Sequence, residues 1–429
     1  MRLSKTAQNN CNGSKNMFSE KLLKLAEECE RDLAPIFSEI DAVAFKNTQK
    51  VMSVFRENRL SDRHFNSTCG YGYNDDGRDL CDKMFAEAFG AESGFARSQI
   101  ISGTHALAIA LYGLLRPNDT MLAASGKPYD TLDNVIGING SDKNGEGSLA
   151  EYGVKYREIP LVDGKTLNLD AIRDALISDK SIKVVFVQRS KGYGDRRTLT
   201  VAEINELFAL VREFDGVYLV VDNCYGEFTE EEEPNGDLLV GSLIKNAGGG
   251  IAETGGYIVG TQRAVELASY RLTVPGIGLE AGASMGATKP MIKGLFFAPH
   301  ITAQAIKTAH FAAAMFERQG FECYPPSNER RSDIIQTIRL HNAENVLKFC
   351  RGIQKGSPVD SFVTPEGWEM PGYNDSVVMA AGAFTQGSSI ELSADAPLRE
   401  PYLVYMQGGL TYESGKLGIL TALAEMLGE

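Results

Sequence analysis

Cysteine and histidine are scarce in this chain and show no metal-ligand spacing. The seven cysteines are an odd number, are scattered along the chain and form no C-x-x-C pair. The five histidines include neither an H-E-x-x-H motif nor another zinc-type arrangement. Scattered cysteines of this kind are typical of a reducing compartment rather than of a disulfide framework. A bound metal is therefore not expected.

Basic charge and long apolar runs are lacking as well. The chain has 43 basic against 56 acidic residues, a net charge of −13. Binding to nucleic acid needs a basic surface, so no nucleic-acid partner is expected. The first ten residues, MRLSKTAQNN, contain no apolar core of a signal peptide, and no apolar run approaches the roughly 20 residues of a membrane span. We expect a soluble, cytoplasmic protein without a membrane partner.

Short apolar runs alternate with helical patterns through the middle of the chain. Four of these runs are predicted to be buried strands, namely Thr120–Ser125, Ile182–Gln188, Val217–Asn223 and Gly255–Gly260. Continuous Val/Ile/Leu strands separated by helices indicate an α/β fold with a mostly parallel central sheet. Ligands of such sheets bind beyond the carboxyl ends of the strands.

Breaks in these patterns suggest three parts. We predict an N-terminal helical arm over residues 1–65, a large domain over 66–297 and a smaller C-terminal α+β domain over 298–429. Pro35 is expected to split the helix of the arm, and Pro299 to precede the first helix of the small domain. The acidic run Glu227–Pro234 is interpreted as a solvated loop.

Two polar residues follow the apolar runs at a spacing that suggests cofactor chemistry. Asp222 ends a predicted buried strand, and Lys245 follows about two dozen residues later, just before three glycines. Pyridoxal 5′-phosphate (PLP) needs a carboxylate that keeps its ring nitrogen protonated and a lysine that binds its aldehyde. Taken singly, Asp222 could equally cap a helix and Lys245 could lie on the surface. The two together favour a PLP site.

A third segment, SGTHALAIALYGLL, opens a predicted helix with small residues at Ser102, Gly103 and Thr104. Free N–H groups and the helix dipole at such an end attract a phosphate. A plain helix cap at Ser102 or Thr104 explains the same residues. Other short motifs are weaker evidence for a function. The segment GASMG would make Ser284 a nucleophile, but no predicted strand precedes it and the residues after it are a poor start for a helix. The glycine-rich stretches likewise complete no well-placed nucleotide fingerprint.

The order of the segments SGTHA, PYDT, VVDNCYGEF and SLIKNAGGGIAETGGYIVG resembles that of PLP enzymes of fold type I, the aspartate aminotransferase-like fold. The most similar branch comprises the methionine γ-lyase-like or cystathionine β-lyase-like aluminium-resistance proteins. This resemblance extends from the GYGYNDDGRD loop almost to the end of the chain. It implies that Lys245 carries the cofactor as a Schiff base and later moves the Cα proton, while Asp222 pairs with the ring nitrogen.

The same resemblance implies roles for further residues. Gly103 and Thr104 would bind the phosphate through the backbone, beside Ser102, and Ser242 would add a hydroxyl. Tyr129 would stack on the ring and assist the leaving group. Tyr73 and Arg78, with Tyr71 as the alternative tyrosine, would complete the phosphate site of a neighbouring subunit. Arg399 would clamp the substrate carboxylate. For Tyr129, Tyr73, Arg78 and Arg399, an ordinary packed or surface side chain is the competing interpretation.

The sequence departs from the resemblance at two points. Ile244 stands where the sulfur amino-acid lyases have a hydroxyl residue, so one phosphate contact is missing or is replaced. The stretch Gln188–Arg197 differs from the usual Asn-Pro segment beside the cofactor's 3′-oxygen, which leaves Gln188, Arg189 or Ser190 as substitutes. Both departures affect the expected identity of the substrate more than the binding of PLP.

The resulting expectation is a PLP-dependent carbon–sulfur lyase that acts on a small sulfur-containing amino acid as a homodimer or homotetramer. Two alternatives stay open. One is a different PLP reaction on the same fold, such as transamination or aldol-type cleavage, because a fold does not fix its function. The other is a PLP-binding stress or metal-resistance protein without catalytic activity.

Overall fold

The computed structural model describes residues 17–138, 145–194, 196–369 and 375–429. They form two sheets with helices packed around them. The helices are α1 (Glu20–Glu57), α2 (Asp76–Ala88), α3 (Gly103–Leu114), α4 (Asp133–Ile136), α5 (Leu169–Ser178), α6 (Val201–Val211), α7 (Gln262–Leu272), α8 (Thr288–Glu317), α9 (Ala343–Lys355) and α10 (Tyr412–Leu427).

The larger sheet has seven strands in the order β1-β7-β6-β5-β4-β2-β3. Their bounds are β1 (Ser93–Arg97), β2 (Thr120–Ala123), β3 (Lys155–Glu158), β4 (Ile182–Gln188), β5 (Tyr218–Asp222), β6 (Leu238–Ser242) and β7 (Gly256–Gly260). Strands β2 to β6 run parallel, and β7 runs antiparallel to both of its neighbours, β6 and β1. The predicted mostly parallel α/β sheet of fold type I is confirmed.

Helices cover both faces of this sheet, which is why its central strands are apolar throughout. Val185 and Val187 of β4 face a core that includes α2, α5, α6 and the first half of α8. Val184 and Phe186 of the same strand face the opposite core, against α3 and α7. Alternate residues of a strand point to opposite faces, so a strand buried on both sides shows no polar alternation.

The second sheet is antiparallel, with six strands in the order β10-β11-β12-β13-β9-β8. The strands are β8 (Glu322–Tyr324), β9 (Ile335–Arg339), β10 (Trp368–Glu369), β11 (Ser376–Ala380), β12 (Ser393–Pro397) and β13 (Leu403–Gln407). Helices α9 and α10 pack on it, around a core that also contains the second half of α8. This small sheet is the α+β part expected near the end of the chain.

Two expectations about proline are wrong. Pro35 lies inside the continuous helix α1, and Pro299 lies inside α8, which begins at Thr288 directly after the GASMG segment. A proline removes one backbone hydrogen bond, but packing along the helix can outweigh that loss. The long contact between α1 and α8 supplies this packing. The predicted boundary between residues 297 and 298 therefore falls within a continuous helix.

Both long helices also connect the two cores. The N-terminal half of α1 packs against the small sheet, and its C-terminal half packs against the large one, as Leu22 and Val51 illustrate. Helix α8 makes the same connection in the opposite direction, as Leu295 and Phe316 illustrate. Among the helices of the described residues, none combines the length and the apolarity needed to cross a bilayer.

Candidate active site

The carboxyl ends of three neighbouring parallel strands place polar side chains side by side. Gln188 ends β4, Asp222 ends β5 and Ser242 ends β6. Gln188 and Asp222 are direct partners in the ladder between β4 and β5, and all three residues are buried. The parallel register thus forms a polar edge at the place where ligands of such sheets bind.

Lys245 reaches this edge from the loop that follows β6. Its Nζ atom lies 4.1 Å from the centre of the Tyr225 ring, close enough for a cation–π contact. Burial alone would lower the pKa of Lys245. The acidic groups of Cys224, Tyr225, Asp222 and Glu227 outweigh burial, so the pKa is raised. The ammonium form is favoured in the chain without a ligand.

Asp222 lies within electrostatic range of this ammonium group. Its Oδ1 accepts a hydrogen bond from the backbone N–H of Cys224 at 3.1 Å. Burial raises the pKa of Asp222, while the charge of Lys245 opposes that rise. Tyr225, three residues further on, has a left-handed backbone with φ of 71°. A bulky residue in that region is strained, and such strain collects at functional sites.

The N-terminus of α3 closes the site from the other side. A Cβ atom at Gly103 would lie 3.2 Å from Sγ of Cys224, 3.6 Å from Cβ of Ser242 and 3.8 Å from Nζ of Lys245. Glycine at this position leaves the space in front of the lysine open. Ser102 caps the helix by accepting from the N–H of His105, and the other N–H groups of the first turn have no partner within the helix.

Two more predicted residues lie near the strand ends. The backbone N–H of Tyr129 donates to Oε1 of Gln188 at 2.7 Å, and the Tyr129 ring packs edge-on against Tyr193 with centroids 5.2 Å apart. Thr104 in α3 shares a hydrogen bond of 2.7 Å with Thr131, so α3 is tied to the segment that carries Tyr129. Gln188, Arg189 and Ser190 were the candidates to replace the Asn-Pro segment beside the cofactor. Of these three, Gln188 contacts the segment that carries Tyr129.

The residues expected to serve a neighbouring subunit lie elsewhere on the chain. Tyr71 and Tyr73 stack on each other with centroids 5.5 Å apart, and both are exposed. Arg78 is buried, and its guanidinium donates to the carbonyls of Gly72 at 2.6 Å and Gly282 at 3.0 Å. Within its own chain Arg78 therefore fixes the loop that presents the two tyrosines.

A basic cleft of about 490 Å³ opens beside Tyr129. Arg399 lines this cleft and forms an ion pair with Asp375 on the half-exposed rim. Sequence reasoning missed a second arginine there, Arg196, whose guanidinium donates to the carbonyls of Gln188 and Ser190. Burial lowers the pKa of Arg196 to about 10, although Asp333 and Asp222 oppose the shift. An arginine this close to the strand ends is suited to a carboxylate ligand.

Known proteins of similar sequence identify the family of this chain. The family model described as methionine gamma-lyase matches residues 22–427. The chain belongs to the methionine gamma-lyase family. It is 45% identical to the uncharacterised protein YnbB of Bacillus subtilis over 95% of this chain and 97% of that one.

Solved structures agree with this membership. A candidate cystathionine beta-lyase involved in aluminium resistance from Clostridium acetobutylicum is 49% identical, with a TM-score of 0.92 over 95% of this chain and 96% of that one. The PLP-dependent protein YhfS of Escherichia coli is only 14% identical, with a TM-score of 0.58 over 90% of this chain and 97% of that one. The second likeness concerns the fold alone.

In this methionine gamma-lyase family member the acidic run after β5 is solvated only in part, at Glu231 and Glu232. Glu227 and Glu233 are buried, and the fully buried Arg189 forms ion pairs with Glu233 at 3.5 Å and Glu230 at 2.9 Å. Arg189 is thereby directed into this network, away from the role considered for it beside the cofactor. The run looked solvated because its arginine partner lies about forty positions earlier in the sequence.

Ser284 also has a structural role. Its Oγ accepts from the backbone N–H of Thr68 at 3.1 Å, and its own N–H donates to Oγ1 of Thr68 at 3.2 Å. These bonds join the glycine-rich segment before α8 to the loop before α2. The nucleophile reading of GASMG therefore gains no support, although a helix does follow the motif.

Glu227 provides a pH-dependent test of this arrangement. Burial raises the pKa of Glu227 from an ordinary 4.5 to about 8. The nearby Glu233 adds to this rise, whereas Tyr257 and Lys245 oppose it. The folded protein then binds a proton that the unfolded chain releases. The stabilising contribution is complete below about pH 4.5 and is lost as the pH rises through about 8.

We expect Glu227→Gln to remove this loss, because the amide cannot ionise. The urea midpoint of unfolding should fall less between about pH 6 and about pH 9 for the variant than for the wild-type protein. Glu425, which is partly exposed and paired with Lys355, supplies the control Glu425→Gln. An equal fall in all three proteins would show that Glu227 is not protonated in the fold.

Proposed function

We propose that this chain is a PLP-dependent carbon–sulfur lyase that acts on a sulfur-containing amino acid. The convergence of Lys245, Asp222 and the N-terminus of α3 on one space at the strand ends carries the proposal. Membership of the methionine gamma-lyase family supports it, as does the likeness to a candidate cystathionine beta-lyase.

The side chains present fit the cofactor. Asp222 would pair with the ring nitrogen, and the amine of Lys245 would bind the aldehyde. The first turn of α3, at Gly103 and Thr104, offers N–H groups to a phosphate, and Ser242 adds a hydroxyl only two residues before Ile244. When bound, PLP supplies an electron sink for carbanion chemistry at the substrate's Cα.

Residues of the chain would transfer the protons and bind the substrate. The amine of Lys245 would take the proton from the substrate's Cα. The hydroxyl of Tyr129 gives a proton to the departing sulfur. The substrate carboxylate is held in the basic cleft, where Arg399 and Arg196 supply the positive charge. Tyr193 packs between Tyr129 and the small sheet and limits the access of water.

Lys245→Ala tests the cofactor site. The purified protein should absorb visible light after addition of PLP, and the variant should not, because it lacks the amine that binds the aldehyde. Lys293→Ala, in α8, controls for the loss of any one lysine. A colourless unchanged protein that gains no band on addition of PLP would refute the cofactor assignment.

Product analysis tests the reaction type. The holoenzyme should release a keto acid, ammonia and a thiol in equal amounts from L-cystathionine or L-methionine, without any keto-acid acceptor. A dependence on an added acceptor would indicate transamination instead. Stable PLP absorbance with no turnover of any amino acid in a broad panel would favour a non-catalytic binder.

We also propose that two chains share each site in a homodimer or homotetramer. The stacked, exposed pair Tyr71 and Tyr73 is held rigidly through Arg78, although neither ring has an obvious role on its own surface. In a symmetric dimer such a loop can reach the partner's phosphate site. Tyr73 would contact the cofactor there, and Arg78 would support the loop or add its charge.

Mixing two impaired variants tests this sharing. Tyr73→Ala removes an exposed ring and should lower activity without unfolding the chain, whereas Lys245→Ala removes the amine. If Tyr73 serves the partner's site, dissociated and reassembled mixtures should recover about a quarter of the normal activity, since half the dimers are mixed and each has one intact site. No recovery would place Tyr73 in its own chain's site.

A further inference from the structure

A second buried acid faces the proposed site from the small sheet. Asp395 lies in β12, is 9% exposed and is the direct ladder partner of Tyr405 in β13. Directly opposed residues of an antiparallel pair point to the same face, so the two side chains are neighbours. The Tyr405 ring packs on Tyr193 with centroids 4.8 Å apart, and Tyr193 packs on Tyr129.

The carboxyl group of Asp395 is only half satisfied. Its Oδ2 accepts from Nε2 of Gln407 at 3.1 Å, and the hydroxyl of Tyr193 also donates to the carboxyl group. Its Oδ1 is buried without a hydrogen-bond partner among the described residues. A buried polar atom in this condition costs free energy unless a ligand or water satisfies it. An ionised carboxylate only accepts hydrogen bonds, so the open Oδ1 atom of Asp395 requires a donor.

The carboxyl group of Asp395 is linked to the basic cleft through Tyr193, which lines that cleft, and it lies within electrostatic range of Lys245. The charge of Lys245 acts on Asp395, and Asp395 in turn acts on Tyr225, whose ring lies 4.1 Å from Nζ of Lys245. Burial raises the pKa of Asp395, whereas Gln407, Tyr193 and Lys245 oppose the rise and favour the carboxylate. A cationic ligand would favour the carboxylate further.

We infer that Asp395 is a specificity-determining residue whose open oxygen accepts a hydrogen bond from a second amino group, on the side chain of the substrate. The inference rests on the proposed function and narrows its substrate class to amino-acid thioethers with a distal ammonium group, such as cystathionine. Methionine has no such group and would leave the carboxylate unpaired. Leaving a buried charge unpaired is strongly unfavourable, so discrimination is expected.

A matched pair of substrates isolates the amino group. L-Cystathionine and S-(3-carboxypropyl)-L-cysteine differ only in that amine when the cysteine half reacts. The holoenzyme should prefer cystathionine in kcat/KM by about tenfold or more, the range for a charged hydrogen bond. Asp395→Asn should bring the ratio close to one by lowering kcat/KM for cystathionine, with visible PLP absorbance unchanged. Glu425→Gln should keep the full preference.

Several results would overturn the inference. An equal preference in the unchanged enzyme and in Asp395→Asn would do so, as would an unchanged enzyme that favours the analogue. If Asp395→Asn does not fold, the kcat/KM ratio of the two substrates for the wild-type enzyme is the test. A ratio near one then refutes the proposed role of Asp395. If neither compound releases thiol, the proposed lyase function fails separately. Spectral titration of the holoenzyme with both compounds then tests recognition, and equal affinities would refute it.

Discussion

The ammonium group of Lys245 lies among acidic side chains that come from two different layers of the protein. Asp222 and Glu227 belong to the large sheet and the segment that follows it, while Asp395 belongs to the small sheet. Acidic groups at several distances keep the lysine charged despite burial. In return the lysine favours the ionised form of each acid. Burial nonetheless raises the pKa of all three acids, so the lysine offsets only part of the cost of burying them.

The sheet and half of this site could be predicted because their signals are local. The run Ile182–Gln188 is a strand from its first residue to its last, and Asp222 ends its own strand as expected. Asp222 and Lys245 could be linked because they lie about two dozen residues apart and their residue types suit one cofactor, although the strand between them, β6, was not predicted. Gly103 could be placed because a glycine that opens a helix is visible in a short window of sequence.

Residues that act through distant partners could not be predicted. Asp395 is connected to the site through a ladder with Tyr405 and a contact with Tyr193, more than two hundred positions away. The acidic run after β5 looked solvated because its partner Arg189 is distant in sequence. The two misplaced helix ends have the same cause, since Pro35 and Pro299 are tolerated through contacts between α1 and α8.

Helix α8 has a further mechanical consequence. At 30 residues it is about 45 Å long and belongs to the cores of both sheets, while α1 runs beside it. Neither core can melt without unwinding half of a helix that the other core needs. The two sheets therefore share one cooperative unfolding unit, although their strands never pair with each other. A cut in the chain near residue 298 would divide that shared element rather than separate two independent halves.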